Sequence, residues 1–452
     1  MANKIVVIGG GAAGMSAASA ARAADSKANI KVITADEDVA YSPCMIPWVL
    51  GGKYTWKSMI MHTPDWYATN RRIEVITKTT VDQIVNGKGE KYVLCKKKKY
   101  KFDNLVIATG GVHFVPPVEG RDLRGVFTLK SIRDGKNFQA YLKKVKARRI
   151  VVVGAGVLGL EVADGLNVAG YDVTVIEMMK QIVPRLADQD MAALMQARIE
   201  AKKIKAVVGA PLERVNGKEF VDSVTAGGKR YACDAVVFAT GIRANLEVPK
   251  MLDLDLGQLD AVTVSPTMQP YSRGRLVPNV FLAGDVVQVQ SAVYSGPTMS
   301  QLGSSAVKEG KVAGANAAGM RREFGPTVSP WVTRIAGFEM AAAGMSQGLA
   351  SWYGTEVVAG RCDGLTRARY YDGALPMAVK VLADRTSHRI VGAQIVAGEG
   401  TTGRIDWLAE VIRQSVTAEE FLVCAENAYC PPTSMVVDPI ICAVEDLAKK
   451  LQ

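Results

Sequence analysis

The chain begins with an apolar run, Ile5-Val6-Val7-Ile8, which stops at Gly9-Gly10-Gly11-Ala12-Ala13-Gly14 and gives way to an alanine-rich stretch. A short unbroken apolar run closed by glycine fits a strand buried on both faces of a parallel sheet. The pattern predicts a strand over 4–8, a tight turn, a helix from Ala12 to Ala24 and a strand from Ile30 to Thr34, together a β-α-β unit. The same sequence of features returns in mid-chain. Arg149 to Val153 reads as a strand, Gly154-Ala155-Gly156-Val157-Leu158-Gly159 as the turn, Leu160 to Val168 as a helix, and Val173 to Ile176 as a strand closed by Glu177. Each half also carries a later strand ending in Ala-Thr-Gly, at Ala108-Thr109-Gly110 and at Ala239-Thr240-Gly241. An internal duplication of nucleotide-binding units accounts for this repetition.

A further buried strand, Val280-Phe281-Leu282-Ala283, closes at Gly284-Asp285, and a helix of small residues is expected from Leu302 to Ala318. From about residue 326 the texture changes. Ala378 to Leu382 and Arg389 to Val396 alternate like antiparallel strands around a turn. Ile405, Leu408, Ala409, Ile412 and Val416 then recur at helical spacing. The expected fold class is α/β: two Rossmann-like dinucleotide-binding domains followed by an α+β domain without a glycine motif, which is better suited to an interface.

Composition narrows the class. The 452 residues suffice for roughly three domains. A hydrophobic content of 48% with 22% charged residues is that of a globular protein, not a disordered one. The start Met1-Ala2-Asn3-Lys4 leaves no room for a signal peptide, and no apolar run approaches the length of a membrane span, so a cytoplasmic protein is expected. The seven cysteines form no regular framework and the three histidines no cluster, so neither zinc nor an iron–sulfur cluster is expected on this chain alone. The net charge of +11 is high, and part of it is the run Lys96-Lys97-Lys98-Lys99-Tyr100-Lys101. Such a run suits an acidic protein partner or a solvated hairpin; with poor aromatic interleaving, nucleic acid is not expected.

Chemistry concentrates at the two glycine motifs. Gly9, Gly11, Ala13 and Gly14 in the first, and Gly154, Gly156 and Gly159 in the second, permit a sharp turn that brings a pyrophosphate to a helix N-terminus. Glu177 ends its strand 18 residues after Gly159, where a carboxylate accepts from ribose hydroxyls and repels a 2′-phosphate; this favours NADH over NADPH. Thr34 stands at the matching place in the first site, with Asp36 and Glu37 just beyond. Asp285 suits the ribitol of a flavin, and the helix opened by Leu302-Gly303-Ser304 would stabilise an anionic pyrimidine edge. Thirty residues after Gly14 lies a lone thiol, Cys44, in Ser42-Pro43-Cys44-Met45-Ile46-Pro47. No second cysteine follows at the spacing of a dithiol.

Taken together, these motifs and the C-terminal Ala428-Tyr429-Cys430-Pro431-Pro432 resemble the single-cysteine branch of the pyridine nucleotide–disulfide oxidoreductases over nearly the whole chain. That branch contains coenzyme A disulfide reductases, NADH oxidases and peroxidases, and persulfide or polysulfide reductases. The resemblance implies a glutathione-reductase-like arrangement: FAD-binding domain over 1–117 and 245–325, NAD-binding domain over 118–244, and dimerisation domain over 326–452. It implies FAD at the first motif, with Ser42, Thr109, Gly110 and Gly303 among its contacts, and NADH at the second, with Gly241 at its rim. It implies that Glu161 lies beside flavin and nicotinamide, that Cys44 is the redox thiol, and that Tyr429 reaches the partner's active site in a homodimer. Beside a helix N-terminus, Cys44 is expected to have a lowered pKa. Three departures weaken parts of the resemblance. Ala12 or Ala13 stands where oxidases and peroxidases carry histidine, Met45 stands where glycine is common, and only Arg22 remains of the basic residues around coenzyme A. The leading expectation is NADH-dependent reduction of a small disulfide, persulfide or polysulfide. The alternatives are an electron-transfer subunit that serves an iron–sulfur partner, as in 2-oxoacid:acceptor complexes, and an NADH oxidase.

Overall fold

The computed structural model describes residues 2–452. Its first domain is a five-stranded parallel sheet in the order Val280–Leu282, Asn104–Ile107, Lys4–Ile8, Asn29–Ile33, Ile73–Ile76. The second repeats that order with Val126–Phe127, Ala235–Phe238, Arg149–Val153, Asp172–Ile176 and Lys205–Val207. Each domain inserts a three-stranded antiparallel meander between its third strand and its Ala-Thr-Gly strand, Gln83–Lys101 in one and Leu212–Ala232 in the other. The two domains are stitched by a short antiparallel pair, Gly111–His113 with Ile242–Ala244, that begins right after the two Ala-Thr-Gly turns.

Sequence periodicity placed most elements within a residue or two, with two instructive differences. The second-motif helix begins at Val157, not Leu160, because Gly156 has the extended backbone of an N-cap. The helix expected to reach Val416 spans Thr401–Arg413. Ser415 turns left-handed at φ 57°, and Val416 reaches the same core by folding back, its N–H donating to the Val411 carbonyl at 3.2 Å.

The C-terminal domain is a five-stranded antiparallel sheet, ordered Trp331–Ile335, Phe338–Gly344, Ile390–Ala397, Pro376–Asp384, Val357–Leu365, covered by Thr401–Arg413 and Pro439–Leu451. One core extends from it into the second nucleotide domain: Ile335, Met340 and Val396 pack with Leu160, Val162 and Ile199. Among the described residues no helix is long and apolar enough to cross a membrane.

Candidate active site

Both glycine motifs fold into the same backbone trap. A Cβ on Gly9 would lie 2.1 Å from the Ala108 carbonyl oxygen, and one on Gly154 2.4 Å from that of Ala239; both glycines have φ above 100°. A Cβ on Gly14 or on Gly159 would lie 2.0 Å from the carbonyl oxygen of Gly9 or of Gly154, so helix and strand meet without side chains between them. Gly11 and Gly156 cap their helices and face open space, leaving the first-turn N–H groups free for a pyrophosphate. The residues present therefore fit two dinucleotides.

Around the first motif, the helix Gly303–Ala317 crosses Ala12–Ala24 at close range. Cβ atoms on Gly310 and Gly314 would lie 2.2 and 1.9 Å from the carbonyl oxygens of Ala13 and Ala17. This crossing sets Gly284 against the first turn, its Cβ position 3.1 Å from Ala13 Cβ and 3.8 Å from Ala306 Cβ, while Gly303 and Ser304 open the helix exposed. Beneath them lies Glu309, 3% exposed, whose Oε2 accepts from the Gly284 N–H at 2.7 Å. Burial pushes its carboxyl up to about 8, with Asp285 adding to the rise. Thr109 donates to the Asn245 carbonyl at 3.0 Å, fixing the turn at Gly110. Of the two acids offered for the first ribose, Glu37 makes an exposed ion pair with Lys78 at 2.7 Å.

In the second site Glu177 is 8% exposed and doubly oriented. Oε2 accepts from the Ala155 N–H inside the glycine turn and Oε1 from the Met179 N–H, both at 2.8 Å.

Cys44 occupies a 3-10 turn, Pro43–Met45, running into the short helix Ile46–Leu50. Five residues do not hold a helix by propensity, since the nucleation cost is scarcely repaid. Burial of Ile46, Val49 and Leu50, which are 0%, 3% and 5% exposed, holds it instead, at about 2 kcal/mol each. Gly165 makes that docking possible: a Cβ there would lie 2.2 Å from the Pro47 carbonyl oxygen. The thiol-bearing segment of the first domain is thereby set on the second-motif helix Val157–Val168, with Cys44 near Glu161 from that helix and near Asp285 from the first site. Its side chain is open to solvent on one side and surrounded by protein on the others. Burial, then Glu161 and Asp285, push the thiol up, against a hydrogen bond from Ser42. In the protein alone the thiol therefore moves opposite to the expected lowering, chiefly through burial, with Glu161 and Asp285 adding to it.

Sequence reasoning missed the partner of Glu161. Thr333, from the first strand of the C-terminal sheet, donates to Glu161 Oε1 at 2.6 Å. Burial raises the Glu161 carboxyl and Thr333 draws it back down. One turn on, Asp164 accepts from the Ala336 N–H.

Two further predicted residues have close neighbours within the chain. Arg22 donates to the backbone carbonyls of Arg71, Asp25, Ser26 and Arg72 at 2.9, 3.2, 2.8 and 2.8 Å, so it ties two helix ends together while lining the cavity beside them. Tyr429 is 42% exposed, and its hydroxyl meets that of Tyr370, itself 77% exposed, making a phenol pair on the surface of the C-terminal domain. All seven cysteines are free.

Known proteins share this construction. The sequence profile described as "Pyridine nucleotide-disulphide oxidoreductase" matches residues 3–310, and that of the dimerisation domain of the same group residues 332–439. Over 454 residues, covering 99% of each chain, the protein is 40% identical to a Methanocaldococcus jannaschii protein named NADH oxidase. A Pyrococcus horikoshii protein named NAD(P)H coenzyme A polysulfide/persulfide reductase is 30% identical over 445 residues, 98% of this chain and 97% of that one. The structure of a NAD-dependent persulfide reductase from A. fulgidus is similar with a TM-score of 0.93 at 30% identity, covering 99% of this chain and 83% of the other. Two glycine-motif sites, the thiol segment clamped between them and the matched C-terminal domain thus have one explanation: the chain belongs to the pyridine nucleotide-disulphide oxidoreductase family, as an oxidoreductase with FAD and NADH as its cofactors.

Proposed function

We propose that the protein uses NADH to reduce a small disulfide, persulfide or polysulfide, with Cys44 as the attacking and accepting sulfur. The carrying observation is the docking of Ile46–Leu50 on Val157–Val168, which sets one solvent-open thiol beside Glu161 of the second site and Asp285 of the first. FAD bound at the first motif supplies two-electron exchange between the NADH hydride and sulfur. The chain's own residues do the rest. Gly9, Gly11, Ala13 and Gly14 with Asp36, Thr109, Gly110, Gly284, Asp285, Leu302, Gly303 and Ser304 hold the flavin nucleotide. Gly154, Gly156, Gly159, Glu177 and Gly241 hold NADH. Ser42 hydrogen-bonds the Cys44 sulfur and favours its thiolate, the nucleophilic form. Thr333 fixes Glu161 where the two sites meet. Thiolate attack breaks the substrate S–S bond, leaving a mixed disulfide or persulfide on Cys44 and expelling a thiolate or shortened polysulfide. Two electrons from NADH then cleave the new S–S bond, returning the Cys44 thiolate and releasing the remaining sulfur as thiol or sulfide.

The matched dimerisation domain supports a homodimer, in which Tyr429 together with Tyr370 would meet the thiol of the other copy. The doubly anchored Glu177 supports preference for NADH over NADPH. The basic run is exposed at Lys96, Lys97, Lys98, Lys99 and Lys101, which supports an acidic or iron–sulfur partner there, although two of these lysines also contact their own meander. Lys98 lies over Tyr100, and Lys99 lies over Tyr92 and 3.7 Å from Glu90, all within one meander. A second reading, NADH oxidation by oxygen, is favoured by the 40% identical relative of that name.

One experiment separates them. NADH turnover is followed anaerobically with disulfide and polysulfide acceptors, and aerobically without them, for the parent and Cys44→Ser. Sulfur-dependent turnover lost in the variant is the expected result. Full turnover of Cys44→Ser with every sulfur acceptor removes the thiol mechanism, and oxygen uptake alone establishes the oxidase.

A further inference from the structure

Two cysteines that the proposed reaction leaves unused lie against each other in the C-terminal domain. Its edge strand Val357–Leu365 meets the last helix, Pro439–Leu451, almost backbone to backbone at two glycines. A Cβ on Gly360 would lie 2.1 Å from the Ala443 carbonyl oxygen and 2.5 Å from Leu447 Cβ; one on Gly364 would lie 3.0 Å from Pro439 Cγ. Strand and helix therefore run in opposite senses, with Gly360 opposite 443–447 and Gly364 opposite 439. Residues 360, 362 and 364 share one face of the strand, so Cys362 points at the helix midway between these contacts, at the level of Cys442. The two thiols are within hydrogen-bonding reach of each other, and both residues are half-buried and unbonded.

We propose that Cys362 and Cys442 are a second redox couple, which low-molecular-weight disulfides convert to an intramolecular disulfide that locks the terminal helix to the sheet. One thiolate attacks R–S–S–R and expels RS⁻; the other attacks the resulting mixed disulfide and expels the second RS⁻. The protein S–S bond forms as the R–S–S–R bond breaks, two electrons pass from the cysteines to the reagent, and both thiol protons end on two RSH. Burial first, then Cys442 and the carboxylates Asp363 and Asp438, hold the proton on Cys362, so closure is favoured by alkaline conditions. The lock has a route to the nucleotide domain. The neighbouring Arg361 donates its backbone N–H to the Asp446 carboxylate of the same helix at 2.9 Å, and pairs through its guanidinium with Asp190 of the second domain, also at 2.9 Å.

The test uses the full-length protein, incubated with oxidised glutathione at mildly alkaline pH or with dithiothreitol, then alkylated and peptide-mapped. The expected product joins the Cys362 and Cys442 peptides, two hydrogens lighter than the separate pair, and dithiothreitol reverses it. Closing a loop of this length should raise the unfolding temperature by about 5 °C over the reduced protein. Cys442→Ser should show neither change while keeping NADH turnover. Recovery of Cys362 and Cys442 as separate alkylated or separately glutathionylated residues overturns the couple. A disulfide that leaves the unfolding temperature unchanged overturns the lock.

Discussion

Replacing Glu177 with alanine should move the enzyme from NADH toward NADPH, by an amount the geometry bounds. One oxygen of Glu177 accepts from Ala155 N–H and the other from Met179 N–H, at 2.8 Å each, which leaves lone pairs on both for the ribose hydroxyls. Losing hydrogen bonds to a charged acceptor costs about 1.5–3 kcal/mol, roughly 10- to 150-fold in kcat/KM for NADH. For NADPH the sign reverses. Two like charges about 4 Å apart repel by roughly 4 kcal/mol near a protein surface, and solvent around the 2′-phosphate reduces this to about 2 kcal/mol, or roughly 30-fold. The ratio of kcat/KM for NADH over NADPH should therefore fall by roughly 300- to 4,500-fold. Steady-state rates with both nucleotides measure it, and a melting curve monitors the Ala155 N–H, which loses its acceptor in a buried position. If both nucleotides lose the same factor, Glu177 acts by holding the glycine turn and does not choose between them.

Other expectations follow from single contacts. Thr333→Val removes the one hydrogen bond that lowers the Glu161 carboxyl, so the acid limb of the kcat/KM profile should move to higher pH, with Thr333→Ser restoring it; an unmoved limb removes Glu161 from the rate. Glu309 ionises near its ordinary value when unfolded but at about 8 when folded, so the folded state loses stability as pH rises between the two and stays penalised above. Glu309→Gln keeps an acceptor for the Gly284 N–H without ionising, and its melting temperature should rise progressively above the parent's as pH increases from the ordinary carboxyl value to about 8, then hold that gap; parallel melting across the range sinks this account. Gly310→Ala drives a methyl into the Ala13 carbonyl, and should cost about 1–3 kcal/mol and weaken flavin retention, read from melting and from bound-flavin absorbance.

The duplicated nucleotide units were legible because a parallel strand, its glycine turn and the following helix are adjacent in sequence, and close packing needs glycine at fixed places. The C-terminal sheet was legible from alternation. What the sequence did not disclose is long-range. Thr333 lies 172 positions from Glu161, and only the docking of the C-terminal strand joins them. Glu309 went unnoticed within its helix of small residues, yet those small residues let two helices close over it. Arg22 kept the look of a ligand residue, but four backbone carbonyls claim its guanidinium. The raised Cys44 thiol is likewise a matter of how the fold buries it and of which carboxylates it brings near.

The central claim is that sulfur is handled covalently at Cys44. Its most direct test is peptide mass mapping of the enzyme exposed anaerobically to a small disulfide or polysulfide, before and after addition of NADH. The account predicts an adduct on Cys44 that NADH removes in step with product release. A Cys44 that stays unmodified and fully alkylatable while sulfur-dependent turnover proceeds would contradict it.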